Sequence, residues 1–149
     1  MSGIFVDTGF WVGFVNPSDA LHPAANHLAP LLSKRKWITS DLVLAEFLNQ
    51  FASAGEFWRT RAADYARSAI IDNSRITVVE STPELLNRAI ALYSNRPDKA
   101  WGLTDCVSFL IMEDCGITDA LAYDIHFAQA GFVAMMRAAH LEGQKGVTR

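Results

Sequence analysis

With 149 residues, half of them hydrophobic, the chain is long enough for one domain with a substantial core and too apolar to be disordered. Its formal net charge of −3 neither advertises a nucleic-acid binder nor excludes one, and no run of eighteen apolar residues offers a membrane span. The start "MSGIFVDTGF" has no basic region or cleavage-type segment, so a cytoplasmic protein is expected.

"GIFVD" (3–7) is the first strand, and "FWVGFVN" a short helix that Pro17 ends. A helix over 22–35 follows, then a strand at "KWIT" (36–39). Ser40 and Asp41 are N-cap residues for "LVLAEFLNQFASA", and residues 56–73 form a polar-faced helix. "RITVVE" (75–80) is a strand, and Ser81, Thr82, Pro83 and Glu84 open the next helix. After the loop "NRPDKAWG", a helix runs from Thr104 until Gly116 stops it. "ALAYD" and "FVAMM" are strands around the turn "IHFAQAG", and a polar tail from Gly143 is expected to fray. Strands alternating with helices imply one α/β domain, 1–142, with a mostly parallel sheet covered on both faces, and a flexible tail, 143–149.

Cys106 and Cys115 lie nine positions apart on one predicted helix, about 13 Å along its axis, too far for a disulfide. Both are expected to be buried thiols.

The acids are placed less evenly than their number suggests. Asp7 closes the first strand, Asp124 closes "ALAYD", Glu46 lies early in the helix after "KWIT", and Asp105 opens its own apolar helix. In a parallel sheet these four positions fall at or beyond the carboxyl ends of the strands, where sites form. Two unit charges ~4 Å apart repel by about 4 kcal/mol at an effective dielectric of 20, so either protons or a cation must relieve such a cluster. Oxygen donors without patterned cysteine or histidine select a hard ion, Mg²⁺ or Mn²⁺. Such ions activate water and steady displacement at phosphorus, which points to phosphodiester hydrolysis.

Four segments in this order, "GIFVDTGFWV", "SDLVLAEFLN", "LTDCVSF" and "YDIHFAQAGF", resemble the acidic motifs of PIN domains. The resemblance extends from Gly3 to about Met136 and is closest to the VapC-type toxin nucleases of bacterial toxin–antitoxin pairs. It implies a PIN-like domain in which Asp7, Glu46, Asp105 and Asp124 surround Mg²⁺ or Mn²⁺ and cut RNA. It also implies a cognate antitoxin as partner and allows a homodimer, with no membrane role. Gly9 stands where many relatives have Ser or Asn, and Tyr123 where they often have Thr.

Plainer roles compete with each assignment. Asp7 can cap the helix after it, Asp124 can form a turn, and Asp105 can complement a helix dipole for about 0.3–1 kcal/mol beside Thr104 as N-cap. Glu46 is the hardest to read as a surface residue, because "LVLAEFLNQF" is apolar on nearly all sides. Thr8, Asn49, Thr104, Ser108 and His126 stand one step back as residues supporting the acids, His126 as a hydrogen-bonding residue rather than a catalyst. "FVDTG" also matches the aspartic-protease motif, which the helices and Glu46 disfavour. A PIN-like module that binds RNA or a partner without cutting is the alternative to the nuclease.

Overall fold

The computed structural model describes residues 2–147, with side-chain surroundings through residue 143. Five parallel strands make one sheet in the order β3-β2-β1-β4-β5: β1 (Ile4–Val6), β2 (Trp37–Ser40), β3 (Ile76–Val79), β4 (Asp119–Leu121) and β5 (Val133–Ala134). Side chains of successive residues point to opposite faces of a strand, and Ile4, Phe5 and Val6 are all fully buried. Both faces are therefore covered, as an all-parallel sheet requires.

Eight α-helices supply the cover: α1 (Thr8–Val15), α2 (His22–Leu31), α3 (Asp41–Gln50), α4 (Glu56–Tyr65), α5 (Pro83–Asn95), α6 (Leu103–Asp114), α7 (Ile125–Gln129) and α8 (Met135–Val147). Phe5 stacks on Phe127 of α7, which meets Phe109 of α6 edge to face; these rings make the core on one side. On the other, Trp11 of α1 packs against Trp37 and Tyr65, and its indole N–H reaches Thr39 Oγ1 (3.4 Å). The same hydroxyl donates to Val6 O (2.8 Å), so the buried polar group is satisfied. Trp101 is likewise a core anchor, packed on Phe109 with its N–H on Gln129.

Several boundaries differ from the sequence reading. The helix expected over 56–73 changes pitch after Tyr65, and Ala66–Ile71 form a π-helical segment, closed by an Asp72 N–H to Arg67 O bond. Only Val133 and Ala134 of "FVAMM" pair with β4; Met135 and the buried Met136 already belong to α8. That helix continues to Val147, through most of the segment expected as a tail, and residues 148–149 lie outside the described residues. Thr82 rather than Ser81 caps α5, its Oγ1 accepting from Leu85 N, because Ser81 is bonded to Asp41 instead. Both cysteines are free, but Cys115 is exposed at the end of α6. No helix among the described residues is long and apolar enough to cross a membrane.

From β1 the chain steps outward to β2 and β3, then returns to the other side of β1 for β4 and β5. The order reverses between β1 and β4, and the segments leaving these two strands diverge there. A crevice at the carboxyl edge is the geometric result.

Candidate metal centre

Asp7 is the first residue beyond β1, its N–H bonded to Leu121 O at the end of β4 (3.1 Å). It occupies the N-cap position of α1, yet its side chain makes no capping bond. The carboxylate instead lines an open cleft of about 640 Å³ together with Glu46, Asp105 and Asp124. The four acids read from the sequence therefore meet in one place.

Each is delivered by a different device. Glu46 sits on α3, whose start is fixed by Ser40 Oγ accepting from Val43 N (3.2 Å). Val43, Leu44 and Phe47 bury the other face of this helix, so Glu46 is exposed to the cleft rather than enclosed by apolar neighbours. Apolar neighbours in sequence made Glu46 hard to read as a surface residue; it is exposed all the same, and helical periodicity, not surrounding hydrophobicity, aims it. Thr8 Oγ1 donates to Glu46 Oε2 (3.0 Å) and ties α1 to α3 directly beside Asp7.

Asp105 does act at its helix start. Gly102, not Thr104, is the N-cap of α6, and Gly102 N–H donates to Asp105 Oδ2 (3.0 Å). The same oxygen faces His126 Nδ1 at 3.0 Å. Asp124 caps α7, its Oδ1 accepting from His126 N (3.0 Å) and lying 3.2 Å from His126 Nδ1. A nitrogen between two carboxylate oxygens carries the proton, so Nδ1–H is the donor of this imidazole. Asp105, Asp124 and His126 offer ligand atoms within 4.8 Å of one another.

Electrostatics separates the acids. Asp7 is pushed up to about 7. Loss of water around it is the main cause, the Thr8 backbone N–H opposes, and the charges of Asp105, Glu46 and Asp124 add to the rise. Burial also raises Asp105, against the Gly102 and His126 hydrogen bonds that favour its charged form. The cleft is thus short of positive charge, which is the condition under which a cation binds.

Other expected residues fall elsewhere. Ser108 is buried and donates to Thr104 O (2.8 Å), a bond within its own helix, and it does not line the cleft. Asn49 is exposed on α3, and Gln50 lines the cleft in its stead. Asp19, in the turn before α2, and Arg137 of α8 also line the cleft, and neither is marked as a site residue by the sequence. Asp19 Oδ1 accepts from Leu21 N, a local turn bond that the sequence shows no better than any other Asp in a loop. Arg137 follows the strand-like run "FVAMM", whose pattern gives no sign of the helix face it occupies. The basic run 34–36 lies away from the cleft: Arg35 pairs with Asp119 at the opposite edge of the sheet.

The sequence model of the PIN domain matches residues 4–133. This chain belongs to the PIN-domain family. Two curated relatives, each named 23S rRNA-specific endonuclease VapC20, come from Mycobacterium tuberculosis strains CDC 1551 / Oshkosh and ATCC 25618 / H37Rv. Each is 30% identical to this chain over 136 residues, covering 87% of it and 95% of the relative. The crystal structure of Mycobacterium tuberculosis VapC20, described as a sarcin–ricin loop cleaving toxin, superposes with a TM-score of 0.77. That match has 30% identity and covers 89% of this chain and 98% of the solved chain. The VapC-type character and the α/β architecture expected from the four motifs hold.

Proposed function

We propose that this PIN domain is a metal-dependent endoribonuclease and the toxin of a toxin–antitoxin pair, with Mg²⁺ or Mn²⁺ held by Asp7, Glu46, Asp105 and Asp124. The observation that carries this reading is the convergence of these four acids, from four separate segments, on one cleft at the reversal of strand order. Their oxygens, two of them spanned by the Nδ1–H of His126, suit a hard divalent ion better than zinc or copper. Bound there, such an ion would acidify a water for attack on the phosphodiester and offset the charge that grows on phosphorus.

The chain's own groups prepare the cleft. Asp7, pushed up to about 7 by loss of water, would give up its proton to a cation held there. His126 Nδ1–H and Gly102 N–H fix Oδ2 of Asp105, and Thr8 fixes one oxygen of Glu46. The names of the curated relatives make a sarcin–ricin-type hairpin of 23S rRNA the first substrate to test. Cytoplasmic RNA is then the target, and a cognate antitoxin the partner that covers the acidic cleft. Phe57, exposed on α4, supports that helix as a contact face for the antitoxin or for a second copy. The non-cutting alternative is disfavoured because the acids keep a common cleft.

The test compares wild type with Asp105→Asn on such a hairpin, with Mg²⁺ or Mn²⁺ and with chelator. Cleavage that needs both metal and Asp105 is expected. Cleavage that survives chelation, or a wild type that neither cuts nor binds Mn²⁺ in a titration, overturns the proposal.

A further inference from the structure

Five acids and one cation line the cleft among the described residues: Asp7, Asp19, Glu46, Asp105 and Asp124 against Arg137. One divalent ion leaves such a surface negative, and an RNA backbone adds more negative charge. Something in the cleft must attract phosphate, and Arg137 is placed for it. Its Nη1 donates to Tyr123 O (3.1 Å), and its guanidinium lies over the Tyr123 ring, 5.2 Å from the centroid. Tyr123 immediately precedes Asp124, so the arginine is anchored one residue from a proposed metal ligand.

No carboxylate pairs with Arg137 among the described residues, in contrast to Arg35, Arg67, Arg88 and Arg96, each within 4 Å of an Asp. A guanidinium has five N–H donors in a planar fork. One is spent on Tyr123 O, and with the guanidinium held over the ring the remaining donors are left for bidentate capture of a phosphate. The Tyr123 ring, about a third exposed at 36%, borders the same cleft.

We infer that Arg137, held by Tyr123, is a positioning residue that grips an RNA phosphate beside the scissile one. The inference rests on the nuclease reading and adds a residue to it. The competing role is purely structural: Arg137 holds the segment carrying Tyr123 and Asp124 in place.

The two roles separate by salt. Each phosphate contact to a single strand contributes about 0.7 to the slope of log K against log salt concentration. Binding of the sarcin–ricin hairpin and of an unstructured RNA oligomer is measured over a salt series, with Asp105→Asn as the non-cutting background. Adding Arg137→Gln, whose amide can still reach Tyr123 O, is expected to weaken binding roughly tenfold and flatten the slope by about 0.7. Arg137→Lys is expected to restore the slope. In the cleaving background the Gln substitution raises KM more than it lowers kcat, while Mn²⁺ affinity and Tm stay near wild type. An unchanged slope, or an equal loss of affinity in the Gln and Lys variants, overturns the inference and leaves the nuclease reading standing. If the parent protein binds neither RNA and wild type cuts neither, both fall. Should the Gln variant not fold, Arg137→Met is read in the same assay.

Discussion

Asp7 makes the cleft unstable on its own, and this has a sign that can be worked out. Its folded value of about 7 lies above the ordinary 3.8, so between these two pH values the folded chain holds a proton that the unfolded chain has released. Stability of the metal-free protein therefore falls as pH rises through this window and levels off above it. At 1.36 kcal/mol per unit the full effect has an upper bound of about 4 kcal/mol, reduced by water that reaches the carboxylate. Asp7→Asn is expected to flatten the profile and make the metal-free protein more stable than wild type at pH 8, as urea unfolding at pH 5 and pH 8 would register. The same substitution should abolish cleavage. Mn²⁺ binding by wild type is expected to tighten as pH rises through about 7, with proton uptake by the buffer measurable in a calorimeter. Thr8 offers a second check: Thr8→Val frees Glu46 and should weaken Mn²⁺ about tenfold, whereas Thr8→Ser should not. Asp7 was readable because an apolar strand ended on it. Arg137 was not, since its meaning depends on a ring and a carbonyl fourteen positions away, which no local pattern encodes.

The helices differ in how much of their placement is local. Caps such as Ser40 and Thr82 lie within three residues of their partners, and the starts of α3 and α5 were accordingly legible. The π-helical turn after Tyr65 was not: it buries Ala66 and Ile70 and packs against β3, contacts that no local pattern encodes. Helix α1 carries a subtler constraint. A Cβ on Gly13 would meet Leu21 Cβ at 3.1 Å and its carbonyl carbon at 3.2 Å, while Gly13 O accepts from His22 Nδ1 (2.7 Å). Gly13→Ala should therefore cost about 1–3 kcal/mol despite its better helix propensity, and the shifted Leu21 should disturb the cleft wall. Gly9 is the control on the same helix: its nearest neighbour is Leu21 Cδ1 at 3.6 Å, so Gly9→Ser should leave Tm unchanged or slightly higher. Differential scanning fluorimetry of the two variants checks both outcomes.

The molecule keeps its stabilising ties and its chemistry at opposite edges of the sheet. Arg35 bonds Asp119 Oδ2 (2.9 Å), Ser2 O and Oγ, and Gly3 O, binding the entry ends of β1 and β4 together while their exit ends carry the acids. Arg35→Ala is expected to lower stability by about 2 kcal/mol and leave Mn²⁺ affinity per folded molecule unchanged, a separation that unfolding and titration together can measure. Alternating strand and helix patterns made the layered architecture readable. The order of the strands came from pairings across more than thirty positions, such as Phe5 with Ile38 and Phe5 with Ala120. That wiring has a consequence during synthesis. Asp7 follows the first strand and Asp124 the fourth, and β4 must slot beside β1 before the two carboxylates can line one cleft. A ribosome that has extruded only the first hundred residues has therefore made three strands and no shared cleft, so the proposed cutting site can assemble only after β4 has emerged.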